Sequence, residues 1–331
     1  FVFRAYHALP ALSNSAGVPT GAVLGFCNML FKLLDEHQPS HLAAVFDSGE
    51  PSFRAELFAE YKANRPPPPE DLAAQFPLVL QVVEGFRIPT LLLPGYEADD
   101  LIATLTVRAR QAGCEVTIVS SDKDLMQLAG DGVQLLDTMK DRVFQRAEVE
   151  QKFGVPPAQL GDWLALVGDT SDNVPGVPGI GAKTATRLLQ QYGDLEGVLA
   201  AAGEVKGKRL QENLETFAEQ ARLSRRLVEL RLDCPLSASL EDLRRREPDG
   251  AALWQLFGEL EFTRLRARVA PAATLDRSSY QAIVDAAQLQ RVLEALRAAP
   301  AFAVDLETTS LDPMRAAIVG ISLCWGEGQA C

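Results

Sequence analysis

Apolar strand-like segments alternate with helical ones over the first 150 residues, and this alternation constrains the fold more than any other feature. HLAAVFD, TLLLPG, EVTIVSSD and VQLLD are strand-like, and FPLVLQVVEGFRI and DDLIATLTVRARQAG separate them. Such a pattern predicts an α/β layer with a mostly parallel central sheet flanked by helices. From residue 151 to about 235, Leu- and Ala-rich segments separated by Gly and Pro predict a compact helical subdomain instead.

The composition changes again near residue 269. The segment RVAPAATLDRSS is rich in Ala, Pro and Ser, as is typical of a linker. AQLQRVLEALRAAP then predicts a helix, and AFAVDLETTSLDP predicts a strand. We therefore expect a first domain over 1–268, with an α/β part (1–150) and a largely helical part (151–268), a linker over 269–279, and the start of another domain over 280–331. The chain begins without Met, in the strand-like FVF, so we expect a piece of a longer protein.

Charge and composition limit the classes of function. The 331 residues include 32 basic and 44 acidic ones, and the net charge of −12 argues against a nucleic-acid binder unless the acids are concentrated in one metal site. The sequence contains neither a run of about 18 apolar residues nor a basic-then-apolar leader, so we expect a soluble, cytoplasmic protein without a membrane partner. The five cysteines lack C-x-x-C spacing, which argues against a zinc site and a disulfide framework.

Carboxylates stand at the ends of predicted strands and helices. Asp47 closes LAAVFD, and Asp122 and Asp124 follow VTIVSS, so all three come just after strands, at the edge where α/β sheets bind ligands. Further acids stand at a predicted helix start (Glu97, Asp99, Asp100) and in the loop segment VGDTSDNVPG (Asp169, Asp172). Taken singly, each is more often structural, because acids favour helix N-termini and turns.

Taken together, these acids predict a metal site. Converging carboxylates repel one another and remain ionised only if cations neutralise them. Oxygen ligands without His or Cys favour Mg²⁺ or Mn²⁺. Two or more such ions suit the hydrolysis of a phosphodiester, since one lowers the pKa of the attacking water and both stabilise the oxygens that attack and leave.

Two further segments could contact phosphate. Arg54, Phe58, Tyr61 and Arg65 are spaced for one face of a helix that the proline run ends, with Lys62 beside them, so this face could grip phosphates and stack a base or could be an ordinary solvated helix. GVPGIGAKTATRLL lacks the G-K-[ST] adjacency of a nucleotide-binding loop. Its glycines before a helix expose N–H groups to a DNA phosphate, or form an ordinary tight turn.

Several of these motifs, in this order, carry a resemblance to a known family. FRAYHALP, YKANRPPPPEDL, GYEADDLIA, SSDKDLMQL and GDTSDNVPGVPGIGAKTA resemble the 5′-nuclease domains of bacterial DNA polymerase I, in the flap endonuclease superfamily, over roughly residues 1–268. The resemblance implies a 5′-nuclease/PIN-like fold with a helix-hairpin-helix subdomain. It also implies one set of metal-site carboxylates: Asp47, Glu97, Asp99, Asp100, Asp122, Asp124, Asp169 and Asp172.

The resemblance also implies roles for the basic and glycine-rich segments. Lys62 and Arg65 match the helical arch that holds the single-stranded 5′ end, and Arg4 and Tyr6 would lie near the scissile phosphate, where Arg4 and Lys62 could neutralise its charge. The helix-hairpin-helix residues that would hold the duplex are Gly179, Gly181, Lys183 and Thr184.

The tail carries a weaker motif. Asp305 and Glu307 are two apart, on one face of the predicted strand, and such a pair is usually explained as acids on an edge strand. After the linker, however, they resemble the first motif of the 3′-5′ proofreading exonuclease, a ribonuclease H-like domain.

The predicted activity is metal-dependent hydrolysis of DNA at single-strand/duplex junctions in replication and repair. We expect a monomer at the bacterial nucleoid, acting on 5′ flaps, nicked or gapped duplexes and RNA primer–DNA. The family has another metal-site aspartate, in a D-G pair before the position of Phe1. A non-catalytic DNA-junction binder therefore stays open as the alternative. An RNA-processing nuclease of related fold is disfavoured by the proofreading motif.

Overall fold

The computed structural model describes residues 2–138, 140–270, 280–310, 312, 314–326 and 328–331. Two compact units divide the chain, Phe1–Val269 and Ala270–Cys331. The predicted linker over 269–279 lies outside the described residues from position 271 onward, and the predicted domain boundaries stay a prediction.

The structure describes five strands in the first unit, of which the first four lie in segments predicted to be strand-like and the last was not predicted. They are β1 (Ala44–Val45), β2 (Thr90–Leu91), β3 (Val116–Ile118), β4 (Val133–Asp137) and β5 (Arg142–Phe144). β1 pairs with β2 and β3 with β4, both parallel, whereas β4 and β5 are antiparallel. The α/β class is confirmed. Among the described residues the hydrogen-bonded strands form a two-stranded and a three-stranded sheet rather than one continuous sheet.

Helices dominate the remainder of this unit. They are α1 (Val2–Ala8), α2 (Gly21–His37), α3 (Phe53–Leu57), α4 (Glu70–Ala73), α5 (Phe76–Gly85), α6 (Ala98–Gln111), α7 (Arg146–Phe153), α8 (Leu160–Val167), α9 (Ala182–Tyr192), α10 (Leu195–Ala200), α11 (Lys208–Thr216), α12 (Ala218–Val228), α13 (Gly250–Glu259) and α14 (Thr263–Arg268). Val2 and Phe3 of the start FVF, which reads as a strand, belong to α1. Val2 and Ala5 are buried three residues apart, which is a helical spacing that three letters are too few to reveal.

The helix predicted across Arg54 to Arg65 is much shorter than expected. α3 ends at Leu57, and turns follow up to residue 64, so the proline run does not end it. Lys62 adopts a left-handed φ of 56°, which a helix cannot contain, and its N–H donates to the carbonyl of Asp172 at 3.0 Å. Arg54 and Arg65 therefore do not share a helical face.

Two hydrophobic clusters form the interior of the first unit. One gathers β3, β4, α8, α9 and α12, and the other gathers α2, α5, α13 and α14. The first cluster includes Leu125 and Met126, each 1% exposed, from a short 3-10 helix over Asp124–Leu128. Their burial fixes the backbone of Asp124 against the core.

The described residues of the second unit form one helix and three strands, namely α15 (Ala286–Ala298), β6 (Ala303–Thr308), β7 (Ile318–Gly326) and β8 (Gln329–Ala330). The strands form an antiparallel sheet in the order β6-β7-β8. Every residue of β6 is exposed. Within the described parts of both units, no helix has the length and hydropathy to cross a membrane.

Candidate metal centre

Asp47 and the first turn of α6 meet at the carboxyl edge of β1. The Asp47 carboxylate accepts a hydrogen bond from the N–H of Ala98 at 2.9 Å, and Glu97 is the N-cap residue of α6. The hydroxyl of Ser52 donates to Glu97 at 3.0 Å, which orients that carboxylate. The edge therefore holds Asp47, Glu97 and Asp99 around one helix start, where the positive end of the helix dipole favours negative charge.

Asp100 lies in the interior instead. It is fully buried, and both of its oxygens accept hydrogen bonds from the Arg54 guanidinium, at 2.6 and 2.8 Å. The N–H groups of Glu97 and Arg231 donate to the same carboxylate at 3.1 and 2.9 Å. Four donors occupy the lone pairs of this carboxylate, so Asp100 is tied to the fold here, and its role as a metal ligand stays a prediction.

Arg54 is likewise only 2% exposed. Besides Asp100, it donates to the carbonyls of Leu227 and Glu229 at the end of α12, at 2.7 and 2.6 Å. This placement corrects the expectation that Arg54 contacts DNA, because its donors are used inside the protein. The sequence reading did not pair Arg54 with Asp100, because two residues 46 positions apart give no local sign that they form a buried ion pair.

The buried pair begins a polar stripe along α6. Asp100, Thr104 and Arg108 follow at steps of four residues and therefore share one face of the helix. Thr104 bonds to the carbonyl of Arg231 at 3.2 Å, and Arg108 to the carbonyl of Leu236 at 3.0 Å. The extended segment 231–238 is thus held along α6 by side chain–backbone hydrogen bonds.

Three aspartates from two other segments converge closely. Asp124 begins the 3-10 helix after β3, and Asp169 and Asp172 lie in the loop between α8 and α9. Ligand oxygens of these three residues lie within 4.8 Å of one another, and Asp169 and Asp172 are buried. Asp122 accepts a hydrogen bond from the N–H of Asp124 at 3.1 Å, which places a fourth carboxylate next to them.

The pKa values report mutual repulsion in this cluster. The pKa of Asp124 is raised to about 7, first by burial and then by the negative charge of Asp122, with Asp169 and Asp172 adding to it and Lys123 opposing it. The pKa of Asp99 is also raised well above its usual range, by burial and by the charges of Asp122, Asp124 and Asp47. Acids from four segments of the chain, those around residues 47, 99, 122–124 and 169–172, therefore raise one another's pKa.

One carboxylate oxygen has no hydrogen-bond partner. Oδ1 of Asp124 is buried, and no donor reaches it within the described part of the chain. A buried unpaired carboxylate oxygen costs free energy, which a bound cation removes. The donor set of oxygens fits a hard divalent ion. The residues that could hold such ions are Asp47, Glu97, Asp99, Asp122, Asp124, Asp169 and Asp172.

Basic side chains lie among these acids. Nζ of Lys62 lies 2.8 Å from Glu97 and 3.6 Å from Asp172, and Arg65 pairs with Asp172. Lys123, which the sequence reading left without a role, lies 3.0 Å from Asp169. The feature of the sequence that could have indicated this role is the position of Lys123 between two aspartates in SSDKD. Tyr61 donates its hydroxyl to Glu97 and Asp172 at 3.2 and 3.3 Å, so its ring belongs to the wall of the cluster.

The other predicted contacts lie on α1 and before α9. Arg4 pairs with Asp137 at 3.5 Å, and Tyr6 donates to Asp71 at 2.9 Å, so their described partners are not the acids of the metal cluster.

The turn before α9 has an exposed, open helix start. Gly179 has a φ of +80°, and Gly181 is the N-cap of α9 with open space where a side chain would be. Lys183 is exposed and Thr184 is half-buried in the first turn. Both readings of this turn, phosphate site and ordinary turn, agree with that geometry.

Asp305 and Glu307 lie in the second unit, on β6. They pair in register with Ser322 and Gly320 of β7, and both are exposed. Because they are two positions apart on β6, both lie on the same face of the strand, as the spacing in the sequence predicted. Their role stays a prediction.

Three family models match consecutive parts of the chain. Residues 1–154 match the 5′-3′ exonuclease N-terminal resolvase-like domain, residues 155–251 the 5′-3′ exonuclease C-terminal SAM fold, and residues 280–331 a 3′-5′ exonuclease. The resemblance seen in the motifs is confirmed.

Curated relatives agree with these models. The chain is 42% identical to a 5′-3′ exonuclease of Aquifex aeolicus over 265 residues, which are 80% of this chain and 90% of that protein. It is 46% identical to DNA polymerase I of Rhizobium leguminosarum over 85% of this chain and 28% of that protein, and 40% identical to DNA polymerase I of Pseudomonas aeruginosa over 100% and 38%. The chain thus spans about a third of the length of these polymerases.

Solved structures share the fold at low identity. The T5 5′-exonuclease with bound divalent metal ions (zinc) has a TM-score of 0.59 and 22% identity, covering 81% of this chain and 94% of its own. The catalytic core of Rad2 in complex with DNA substrate has a TM-score of 0.52 and 16% identity, covering 80% and 88%. The flap-nuclease fold is therefore confirmed.

Proposed function

The chain belongs to the bacterial 5′-3′ exonuclease family found in DNA polymerase I, and we propose that its first unit hydrolyses DNA phosphodiesters at single-strand/duplex junctions. The substrates would be 5′ flaps, nicked or gapped duplexes and RNA primer–DNA. The observation that carries this proposal is the convergence of Asp124, Asp169 and Asp172 within 4.8 Å, together with the unpaired buried oxygen of Asp124. Such a cluster is stable as a charged group only with cations.

The ions would be Mg²⁺ or Mn²⁺, because the candidate ligands are oxygens. When bound, they would lower the pKa of a water molecule and stabilise the charge that develops on the phosphate oxygens. Similarity to the T5 enzyme, whose structure contains divalent metal ions, supports the proposal that the cluster binds divalent metal ions.

The protein's own cations would bind and orient the substrate. Lys62 contacts Glu97 at 2.8 Å, so its ammonium is within reach of a phosphate bound at the cluster. Arg65 is half exposed beside Asp172 and could pair with the next phosphate of the single-stranded end. Arg4 and Tyr6 would act on the same strand from α1.

The open N-terminus of α9 would hold the duplex. Gly181 leaves room for a phosphate, and Lys183 adds charge at the positive end of the helix dipole. Such contacts read the backbone rather than the bases, so recognition would be by shape. The Rad2 complex with DNA substrate, which has a similar fold, supports the assignment of DNA as the partner.

The remaining assignments extend to the whole protein. We expect a monomer in the bacterial cytoplasm, at the nucleoid, in which the domains over 1–268 and 280–331 precede a DNA-directed DNA polymerase. Asp305 and Glu307 would belong to a proofreading site of that protein.

Cleavage of a labelled 5′-flap duplex tests the proposed function. We expect hydrolysis that requires Mg²⁺ or Mn²⁺ and is lost in Asp122→Asn and Asp124→Asn, with Asp131→Asn, an exposed acid of the same chemistry, as the matched control. Titration calorimetry with Mn²⁺ should show binding that Asp124→Asn weakens. Binding of the flap without cleavage at any divalent ion would instead favour the non-catalytic junction binder.

A further inference from the structure

Four basic residues form a cluster beside the metal centre. Lys123 lies 3.0 Å from Asp169, Lys140 and Arg142 belong to the β4–β5 hairpin, and Lys152 belongs to the last turn of α7. We call these residues the hairpin cationic cluster. None of them was given a role in the sequence, and none belongs to the 54–65 segment or to the turn before α9.

The ring of Phe144 organises the cluster. Arg142 and Lys152 both approach this ring, at 4.8 and 5.1 Å from its centroid, and Lys152 also lies 4.9 Å from the centroid of Phe153. Phe144 itself is only 5% exposed. Cation–π contacts hold the two charges at fixed positions while their heads stay exposed to solvent.

Three of the four charges of the cluster have no ion-pair partner among the described residues, whereas Lys123 pairs with Asp169. Among the residues that the structure describes, Lys140, Arg142 and Lys152 form no ion pair, although the chain has 44 acidic residues. The pKa of Lys152 is lowered, first by burial and then by the positive charges of Arg142, Lys140 and Lys123, while Asp137 acts in the opposite direction. Like charges held together without partners are the arrangement expected of an anion-binding surface.

The cluster is continuous with both proposed DNA contacts. Lys123 reaches the metal centre through Asp169. At the other side, the carbonyl of Phe153 accepts a hydrogen bond from Thr186 of α9 at 2.7 Å, so α7 ends against the helix whose start would hold the duplex. A backbone that passes from the metal centre to α9 would therefore run along these cations.

We propose that the hairpin cationic cluster is a second phosphate-contacting surface for DNA, and that it holds the duplex arm rather than the single-stranded 5′ end. The inference rests on the proposed function. Duplex is favoured because single-strand sites combine charge with aromatic rings on which bases stack, whereas Phe144 is buried and both nearby rings carry cations.

The salt dependence of DNA binding tests the proposal. The variant K140Q/R142Q/K152Q keeps Lys123, which contacts the metal centre, and removes three exposed charges. The dissociation constants of a labelled duplex and of a single strand of the same length are measured in EDTA over a series of NaCl concentrations. We expect the slope of log Kd against log[NaCl] for the duplex to fall by about one for each charge removed. The slope for the single strand should change by less than one.

Two further variants serve as controls. R244Q/R245Q/R246Q removes three exposed charges elsewhere in the first unit and should leave the duplex slope nearly unchanged. K152R preserves the charge and should preserve the slope. Unchanged duplex slopes in K140Q/R142Q/K152Q, or equal losses in the control or on the single strand, would overturn the proposal. If the unaltered protein binds neither DNA, the proposed function itself fails, so the two failures are distinguishable.

Discussion

Asp100 and Asp124 both lie in the first turn of a helical segment, yet they lie in opposite environments. Asp100 is fully buried and accepts four hydrogen bonds, two of them from Arg54. Asp124 has a raised pKa, three neighbouring acids and an oxygen without a partner. The difference shows that a carboxylate whose lone pairs all accept hydrogen bonds stabilises the fold, whereas one with an unpaired oxygen is available for a ligand.

The largest expected effect concerns Arg54. Arg54→Met leaves Asp100 buried without its counter-charge, so we expect a loss of roughly 3–5 kcal/mol in the free energy of unfolding. Urea denaturation measures it. Arg65→Met, whose partner Asp172 lies in the open cluster and whose own side chain is half exposed, should cost less than about 1 kcal/mol. Equal losses of unfolding free energy in the two variants would contradict the distinction between the buried Arg54–Asp100 pair and the metal-site cluster around Asp172.

The double variant sharpens the same comparison. Because Arg54→Met/Asp100→Leu removes both buried charges, it should recover a large part of the loss of the single variant. If it is no more stable than Arg54→Met, then the carbonyls of Leu227 and Glu229 left without a donor, rather than the charge of Asp100, dominate the cost.

Divalent ions should stabilise the folded protein through the cluster of Asp124, Asp169 and Asp172, and the buried Arg54–Asp100 pair should not take part in this effect. At an ion concentration of 100 times Kd, binding to the folded state adds about 2.7 kcal/mol to the free energy of unfolding. We expect Mn²⁺ to raise the melting temperature relative to EDTA, and Asp172→Asn to reduce that increase strongly. Asp100→Asn should lower the melting temperature in EDTA but retain the increase. Loss of the increase in Asp100→Asn would return Asp100 to the metal ligands.

The pH dependence of the unfolding free energy in EDTA is a further test of the environment of Asp124. A carboxyl group whose pKa is higher in the folded than in the unfolded state binds more protons when folded, so stability falls as pH rises between the two values. For Asp124 this window runs from about 4 to about 7. The unfolding free energy of the metal-free protein should therefore fall over that range, by an amount on the order of 1 kcal/mol or more. Asp124→Asn should flatten the profile, and an unchanged profile would contradict the assignment.

The smallest effect is expected at Lys62. This residue contacts Glu97 and Asp172 and lowers the pKa of Asp99, so it acts as a partial counter-ion in the metal-free cluster. Lys62→Gln should cost less than about 1 kcal/mol in EDTA. Saturating Mn²⁺ should reduce that cost further, because the ions then neutralise the same acids. A cost that does not depend on the ion would mean that Lys62 stabilises the loop by packing alone.

The sequence predicted the fold where signals were local. Apolar alternation located β1 to β4 but not β5, and the motifs identified the family. The helix predicted from Arg54 to Arg65 was wrong beyond Leu57, because the periodicity matched a helix while the backbone hydrogen bond from Lys62 to Asp172 imposed a turn. A contact between residues so far apart has no local signature.

The site was predictable as a group but not residue by residue. The spacing of the acids predicted that they converge, and Asp124, Asp169 and Asp172 do so. It did not separate Asp100 from Asp99, although the two are adjacent, because the difference depends on Arg54 and on the N–H of Arg231. Only the tertiary structure brings those partners to one of the two side chains.

The segment 231–238 along α6 has a consequence for biosynthesis. Arg231 follows Asp100 by 131 positions, so Asp100 leaves the ribosome on the order of ten seconds before its last donor does. Until then the polar stripe on α6 lacks the backbone partners that the segment 231–238 supplies. The nascent chain therefore lacks the contacts between α6 and the segment 231–238 until translation has passed residue 238.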